Sequence, residues 1–390
     1  MGALKLAMLG IIIIVAILAT LGILIAAAKH AESALVISAW ARIARALRLT
    51  LMRSDGILGM TMAGRFDRFD VEARVTLGES HQFGYGVEIR VRVPNLDTEI
   101  GLEPVGQHSP QFDPDGRIVA PIHDPQFQSR YVARGGSAAT LSLLRGEARD
   151  ALIELGGVGR VSIRGAQLRL SIPRVPTSLE EMSDLLRKIT STARLLGQQP
   201  AASPQSLAEV AMRDPVDRVR AQALETLASD FRNDPVFEPT LRCAEGDASP
   251  WVRFAAAVLC GEAGRPVLES LATEASPAQL AAWEQLLTTA PLEACVDLAE
   301  RAYRCAPSAS ERARVLETLL AAARSASDSA RQAAERAAAH LSQSESRSSG
   351  AVSLPDALLD AGALSPGDAA SGALSALPPT HPSPIRRPDR

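Results

Sequence analysis

The sequence is poor in aromatic side chains and has no large excess of charge of either sign. Aromatic residues make up 4% of the 390-residue chain, and the formal net charge is −3. A surface that stacks nucleic-acid bases needs exposed aromatic rings, and one that binds phosphates needs excess positive charge. We therefore expect no nucleic-acid partner.

Cysteine is also scarce, and no two cysteines form a Cys-x-x-Cys pair. The four are Cys243, Cys260, Cys295 and Cys305. Because cysteine packs well as a small apolar side chain, we expect buried free thiols. A disulfide between Cys243 and Cys260, or between Cys295 and Cys305, is the alternative, and it would favour a protein that faces the outside of the cell.

The common signatures of catalytic and metal sites are missing. The sequence has no GxxxxGK[ST] loop, no GxGxxG after a strand, no GxSxG and no HExxH. The six histidines are never spaced as metal ligands, and Phe112–Arg117 supplies too few oxygen ligands for calcium. We expect no catalytic residue, cofactor or metal, and a protein that is not an enzyme.

One long hydrophobic run lies near the N-terminus. Leu6–Ala28 contains no charged side chain, and a helix of roughly 20 apolar residues crosses a bilayer core. The apolar core of a signal peptide has roughly 7–15 residues. The run therefore predicts a transmembrane helix at 6–28 after a short tail, 1–5. Ala26–Ala28 leaves a cleaved signal peptide as the alternative.

Basic residues are concentrated after this run. Lys5 precedes it, and the positive side chains that follow are Lys29, Arg42, Arg45, Arg48 and Arg53. Positively charged segments stay on the cytoplasmic side of a membrane. We therefore expect a single-pass membrane protein with most of the chain in the cytoplasm.

Residues 31–53 have the pattern of a basic amphipathic helix. Its apolar face carries Val36, Trp40, Ile43, Leu47 and Leu51, and its opposite face carries Arg42, Arg45, Arg48 and Arg53. Such a helix can lie on an anionic leaflet, with Trp40 and the four arginines at the membrane surface. It can equally pack its apolar face on the next domain, because both interpretations need the same pattern.

Residues 55–197 change to a pattern of period two. Val71–Leu77 and Val87–Val93 alternate apolar with polar residues, and Arg160–Ile172 predicts two strands around Gly165. Helical patterns cover 137–157 and 178–197, the second with a capping box from Thr177 to Glu180. The region predicts an α+β domain in which helices cover one face of an antiparallel sheet.

This order of elements resembles an uncharacterised bacterial membrane-anchored domain with the phrase D-x-x-F-x-x-x-F/Y-x-V-x-G. The matching residues are Asp124, Phe127, Tyr131, Val132 and Gly135. The resemblance implies a fold and no particular chemistry. Phe127 and Tyr131 are spaced to anchor a strand to the core rather than to stack on a ligand.

Residues 204–341 contain a helical repeat. Val219-Arg220 recurs as Val252-Arg253, and fainter copies follow. The region is similar to a short bacterial HEAT-repeat array with the phrase D-x-x-x-x-V-R-x-x-A-A. The resemblance implies that Asp214 and Asp247 cap helices or bridge to the next repeat, and that Arg220 and Arg253 reach along the stack. Apolar helix faces predict a solenoid, with Trp251 in its core.

The fold class predicted from the sequence is therefore α+β with four parts: an N-terminal transmembrane helix, an antiparallel sheet with packed helices, an α-solenoid of HEAT-like helix pairs, and a disordered tail. The tail, residues 342–390, is rich in serine, alanine, proline and glycine.

The predicted function is a membrane-anchored scaffold or adaptor that binds a protein partner through its repeats and binds the bilayer through its N-terminal helix. The predicted contact surface is an acidic strip of Glu269, Glu274, Glu293, Asp297 and Glu300. These acids equally fit a role in keeping the repeats soluble. The alternative function is an α+β domain that binds a ligand or lipid, or acts on one as an enzyme, under the control of the repeats.

Overall fold

The computed structural model of the protein describes residues 33–54, 56–77, 85–96, 99–105, 119–324 and 326–349, together with Leu18, Thr20 and Leu21. The described residues up to Ala339 form one compact unit, and the described residues from His340 onwards belong to a second. The first helix, α1, covers residues 33–47.

Eight strands and four further helices make up the N-terminal half of the described chain. The strands are β1 (Thr50–Ser54), β2 (Gly56–Phe66), β3 (Phe69–Leu77), β4 (Tyr85–Arg92), β5 (Gly101–Pro104), β6 (Tyr131–Arg134), β7 (Arg160–Arg164) and β8 (Gln167–Ile172). The helices are α2 (Pro125–Gln128), α3 (Ser137–Leu143), α4 (Gly146–Gly156) and α5 (Leu179–Gln198).

The C-terminal half is helical. Its helices are α6 (Pro204–Arg213), α7 (Asp217–Asp230), α8 (Phe237–Glu245), α9 (Pro250–Cys260), α10 (Arg265–Ala272), α11 (Gln279–Thr289), α12 (Leu292–Cys305), α13 (Ala309–Ala323) and α14 (Asp328–Ser349), with a 3₁₀ turn at Gly261–Gly264. The sequence places the start of the tail at Ser342, but this residue lies inside α14.

The strands form one antiparallel sheet in the order β1-β2-β3-β4-β8-β7-β5-β6. In β4, Val87, Ile89 and Val91 are buried on one face, while Glu88 and Arg90 lie half-buried on the other. Strands that alternate in this way have one covered face and one outward face. The antiparallel sheet that the period-two segments predict is therefore present.

Helices cover the apolar face of the sheet. Met182, Leu186 and Ile189 of α5 are fully buried, and α5 packs on β4 and β8. Trp40 of α1 is also fully buried, and its indole N–H donates to the carbonyl oxygen of Pro176 at 3.0 Å. A buried indole with its N–H satisfied is a core residue, so the placement of Trp40 at a membrane surface is wrong.

The predicted transmembrane helix is corrected by the structure. Within the described residues, no helix is long and apolar enough to cross a membrane. Apart from the three residues Leu18, Thr20 and Leu21, Leu6–Ala28 lies outside the described chain. The amphipathic helix that follows buries Val36, Trp40 and Ile43 of its apolar face in protein.

The predicted helix at 31–53 is also too long. It ends at residue 47, where Arg48 adopts a positive φ of 58° and the N–H of Leu49 returns to the carbonyl oxygen of Ala44 at 2.8 Å. A residue in the left-handed region stops an α-helix. Thr50–Ser54 then forms β1 at the edge of the sheet.

A second predicted helix, at 137–157, is broken in the structure. Leu144 leaves the helical conformation and Arg145 is extended, so α3 ends before α4 begins at Gly146. The break separates α4, which carries Arg149, from the direction of α3. The cap of α5 is shifted by one residue from the predicted box, because Ser178 accepts from the N–H of Glu181 at 3.1 Å.

The C-terminal helices pack in consecutive pairs, α6 with α7, α8 with α9, α10 with α11 and α12 with α13. The second helix of each pair also contacts the second helix of the next pair. Trp283 is fully buried between them, and its indole N–H donates to Thr318 Oγ1 at 3.0 Å. Trp251 is half-buried, so its predicted place in the core is wrong.

The sheet layer and the helical stack share one hydrophobic core. Helix α3 packs on both α6 and α7. Buried apolar residues from Val36 to Ala256 form a single continuous cluster. The break between α3 and α4 places the start of α4 beside the stack, where the Cβ of any residue replacing Gly146 would lie 3.0 Å from the ring of Pro215.

Candidate functional site at the sheet–helix junction

A buried arginine connects the sheet layer to the helical stack. The side chain of Arg149, on α4, is 1% exposed. Its Nε donates to Asp124 Oδ2 at 2.9 Å, and its two terminal nitrogens donate to Asp214 Oδ2 at 2.9 Å and Oδ1 at 2.7 Å. One terminal nitrogen also donates to the carbonyl oxygen of Leu144 at 2.8 Å. We call Asp124, Arg149 and Asp214 the junction triad.

Both carboxylates are also held by hydrogen bonds from nearby backbone N–H groups. Asp124 caps α2, because its Oδ1 accepts from the N–H groups of Gln126 and Phe127. Asp214 follows the last turn of α6, and its Oδ1 accepts from the N–H of Val216 at 3.0 Å. Carboxylates held in this way meet the planar guanidinium with the bidentate geometry that arginine favours.

The triad contains two carboxylates and one guanidinium, so the buried group carries one negative charge in excess. Burial acts against the charge of Arg149, but Asp214 and Asp124 outweigh it and raise the pKa of the guanidinium above its ordinary value. A buried charge is tolerated only with well-placed partners. The triad therefore specifies one docking geometry between α4 and α6.

The same kind of contact continues along the stack. Arg220 of α7 donates to both carboxylate oxygens of Asp247, at 3.1 and 2.8 Å, and to the carbonyl oxygen of Asp214 at 2.9 Å. Arg253 of α9 contacts Glu274 at 3.4 Å. Each arginine thus reaches a carboxylate that follows it in the chain, and Arg149 is the first member of this arginine–carboxylate ladder.

The HEAT resemblance implies that Asp214 and Asp247 cap a helix or bridge to the next repeat, and that Arg220 and Arg253 reach along the stack. In the structure the carboxylate of Asp214 binds Arg149, and that of Asp247 binds Arg220. Burial opposes ionisation of Asp247, but hydrogen bonds from Arg220 and from the N–H of Ser249, with the nearby charge of Arg253, lower its pKa below the ordinary value.

A cleft of about 400 Å³ lies beside the junction triad. It is lined by Arg145, Gly146, Glu147, Asp150, Gln199, Glu209, Val210, Arg213, Asp214 and Pro215. Arg145 and Glu209 form an ion pair across it at 2.7 Å. The cleft has the size of a small-molecule site, and six of its ten lining residues have charged side chains. No group of His, Cys, Asp and Glu suited to a metal is found in the described chain.

The predicted acidic strip is divided among α10, which carries Glu269, the turn after it, which carries Glu274, and α12. Glu269 pairs with Arg265 at 2.8 Å, and Glu274 pairs with Arg253. The remaining three acids, Glu293, Asp297 and Glu300, are exposed along α12, and we call them the acidic face of α12. Of these, Glu300 pairs with Arg304 on its own helix.

The predicted membrane-surface residues do not share one environment. Arg42, Arg45 and Arg48 are exposed around α1, whereas Trp40 is buried on its opposite side. Arg53 lies on β1 rather than on the helix. Trp40 and the exposed arginines thus lie on opposite sides of α1, as the pattern predicts, and the structure buries Trp40 in protein.

All four cysteines are free thiols. Cys243 is exposed, which corrects the expectation that every thiol is buried. Burial raises the pKa of Cys295 to about 11. Burial and the Glu245 carboxylate, which accepts a hydrogen bond from the thiol at 3.1 Å, raise the pKa of Cys260 to about 12.

Sequence reasoning missed a second group of charged residues, next to the ladder. Arg218 of α7 lies over the indole ring of Trp251, with its guanidinium carbon 3.2 Å from the ring centroid. Trp251 in turn meets Phe254 edge to face, with ring centroids 6.2 Å apart. We call these three residues, with Glu225 and His123, the α7 platform. The i, i+7 spacing of Arg218 and Glu225 was its only sequence signal.

No family model, curated protein or solved structure matches this chain. The similarity of residues 204–341 to HEAT repeats therefore stays a prediction. The same holds for the similarity of residues 55–197 to a bacterial membrane-anchored domain.

Proposed function

We propose that this protein is a non-catalytic scaffold that binds a protein partner through the helices of residues 204–341. The observation that carries the proposal is the arginine–carboxylate ladder. It begins at Arg149 in the sheet layer and continues through Arg220 and Arg253. A surface whose helices are fixed before binding loses little conformational entropy when a partner docks.

The acidic face of α12 is the contact surface that we propose. Glu293, Asp297 and Glu300 stand at i, i+4 and i+7 on one side of a helix whose other side is buried through Cys295, Leu298 and Ala302. Glu293 and Asp297 have no ion pair within the described residues. Unpaired exposed charges of one sign steer a partner of opposite charge.

The test reverses the acidic face in the full-length chain. In E293K/D297K/E300K we expect loss of the proteins that co-purify with the wild type, measured by quantitative mass spectrometry. The matched control, E180K/E317K/E335K, changes the net charge equally at exposed acids elsewhere, and we expect it to keep those partners.

A second comparison locates the surface. Arg74 and Arg92 are exposed on the outward face of the sheet. Partners that survive reversal of the acidic face but are lost in R74E/R92E would assign binding to the sheet, and the proposal would then be wrong. Circular dichroism of all variants verifies that the fold is kept.

The junction cleft favours a second candidate function, which is ligand binding controlled by the docking of the repeats. Its volume of about 400 Å³ suits a small molecule, and its walls come from both α4 and α6. Thermal-shift screening of the intact protein against small charged metabolites tests this candidate. A true ligand should lose its stabilising effect in R213Q, because Arg213 lines the cleft.

A further inference from the structure

The guanidinium of Arg218 is held over an aromatic ring and has neither a hydrogen-bond acceptor nor an ion-pair partner among the described residues. Its carbon Cζ lies 3.2 Å from the centroid of the Trp251 ring. The neighbouring carboxylate of Asp217 is occupied elsewhere. Its Oδ1 accepts from the backbone N–H of Arg218 at 2.7 Å, and its Oδ2 accepts from the hydroxyl of Ser249 at 2.7 Å. Stacking therefore presents the planar set of N–H donors ready for another partner.

Two further titratable groups lie near Arg218. The side chains of Arg218, Glu225 and His123 are all exposed to solvent. Partial burial is the first cause of the lowered pKa of His123 and of Arg218 and of the raised pKa of Glu225, and the charge of Arg218 acts on both His123 and Glu225. Groups with perturbed pKa values that lie together are enriched at functional sites.

Three separate elements contribute residues to the surface around Arg218. Gln222 of α7 accepts from the N–H of His123 at 3.0 Å and donates to the carbonyl oxygen of Pro121, which holds the segment before α2 against the helix. Trp251 and Phe254 supply the wall from α9. Tryptophan and arginine are also the residues that most often dominate binding energy at protein interfaces.

We infer that the α7 platform binds an acidic segment of a protein partner, with a carboxylate of that segment accepting from the guanidinium of Arg218. The inference rests on the proposed scaffold function only in taking the occupant to be a protein. It concerns a surface separate from the acidic face of α12. A carboxylate matches the two parallel donors of a stacked arginine, and the apolar wall of Trp251 and Phe254 accommodates the side chain beside it.

The charge of Glu225 predicts whether its removal should strengthen or weaken binding, and this direction can be tested. It lies two helical turns from Arg218 on α7, and the two charges interact. A carboxylate docked on Arg218 is repelled by an ionised Glu225. Removing that charge therefore strengthens the binding of an acidic segment and weakens the binding of a basic one.

The experiment titrates the intact protein with a labelled extended peptide in which glutamate alternates with valine, and with its glutamine counterpart. Fluorescence anisotropy reports binding, and tryptophan emission reports its place, because Trp40 and Trp283 are fully buried and Trp251 is not. We expect binding of the glutamate peptide alone, with a change in emission that is absent in W251F.

The variants distinguish this site from general charge attraction. R218K keeps the charge but loses the planar fork, so we expect affinity to fall by about tenfold. E225Q should increase affinity. R242Q removes an exposed arginine of α8 that pairs with Glu238 and should change nothing. The E293K/D297K/E300K variant should still bind through Arg218, which separates failure here from failure of the scaffold proposal.

Three outcomes would overturn the inference. The first is that the glutamate and glutamine peptides bind equally well, or that neither of them binds. The second is an R218K variant that binds the glutamate peptide as tightly as the wild type. The third is an E225Q variant that binds it more weakly.

Discussion

Arg149 and Asp214 form a bidentate ion pair in which both side chains are 1% exposed. The arginine belongs to the helices that cover the sheet, and the aspartate follows the first helix of the stack. Breaking a buried pair by removing one partner leaves an uncompensated charge, which costs more than the pair itself contributes. The junction is therefore a position at which a single substitution should strongly destabilise the packing of the two layers.

Replacing Arg149 by methionine should lower the free energy of unfolding by about 3–5 kcal/mol, since Asp124 and Asp214 then remain buried without a cation. Urea denaturation followed by circular dichroism measures the change. The matched control is R145M, which removes a neighbouring arginine whose side chain is 20% exposed. Its cost should be about 0–1 kcal/mol. Equal costs for the two variants would show that the triad does not hold the junction.

A compensating variant refines this prediction. D124N/R149M/D214N removes all three charges and keeps the shape and the capping oxygens of both aspartates. It should be more stable than R149M alone, because no unpaired charge remains. If it is less stable, packing rather than charge accounts for the loss in R149M.

The second step of the ladder should show energetic coupling. Arg220 and Asp247 are each 15% exposed and joined by two hydrogen bonds. A double-mutant cycle with R220M and D247N should give a coupling free energy of about 0.5–3 kcal/mol. A value near zero at neutral pH would contradict the ladder as a stabilising feature.

The coupling between Arg220 and Asp247 should also depend on pH. The folded-state pKa of Asp247 lies below its ordinary value of 3.8. Its ionised form therefore stabilises the fold fully above that value, and the contribution is lost as the pH falls through the folded-state pKa. The cycle measured in acid should give less coupling than the same cycle at neutral pH.

Much of the sheet followed from the sequence, because alternation of apolar and polar residues reports directly on a half-covered face. Val87, Ile89 and Val91 needed no tertiary information. Arg149 could not be found in that way. Its helix pattern gives no sign that the residue turns inward, and its partner Asp214 lies 65 residues away in the chain. The break after Leu144 could not be found either, because the apolar positions Leu141, Leu144, Ala148 and Leu152 keep a helical spacing across it.

The acidic face of α12 illustrates a second limit. Glu293, Asp297 and Glu300 could be assigned to one side of a helix from their spacing alone. The same reasoning added Glu269 and Glu274, which the structure shows to be paired with Arg265 and Arg253. Charge patterning identifies exposed acids, but it does not identify their partners on other helices.

The two tryptophans of the stack should differ in their contribution to stability. Trp283 is fully buried and hydrogen-bonded, so W283A should cost about 3–5 kcal/mol. Trp251 is half-buried and carries the Arg218 guanidinium, so W251A should cost less. Thermal and urea unfolding compare them directly. A larger loss in W251A would mean that this side chain is buried more deeply than described.

Glu225 should reduce stability at neutral pH. Burial raises its folded-state pKa above the ordinary 4.5, so the fold binds the proton more tightly than the unfolded chain does, and stability falls as the pH rises through the raised pKa. E225Q should therefore raise the melting temperature at neutral pH and have little effect well below pH 4.5. E317Q, at an exposed site on α13, serves as the control for the substitution itself, and its melting temperature at neutral pH should match that of the wild type.

The reactivity of each thiol should follow its exposure to solvent and its pKa. Exposed Cys243 should be alkylated first by iodoacetamide at neutral pH. Cys260 and Cys295 should react slowly, because the thiolate is the reactive form and their pKa values are raised to about 12 and 11. Peptide mass spectrometry over time ranks the sites. Faster modification of Cys295 than of Cys243 would contradict the burial described for α12.

The strand order has a consequence for how the chain folds. β4 pairs with β8, and Val87 lies opposite Ile172, so the middle of the sheet joins segments that are distant in the chain. The stack is built from helices that contact their immediate neighbours. Chains rich in local contacts fold faster than those that must first close long loops. The stack should thus form early, and Asp214 should stay hydrated until the late-forming sheet delivers Arg149. Completion of the sheet would then limit the rate of folding, and the ion pair between Arg149 and Asp214 would be among the last contacts to form.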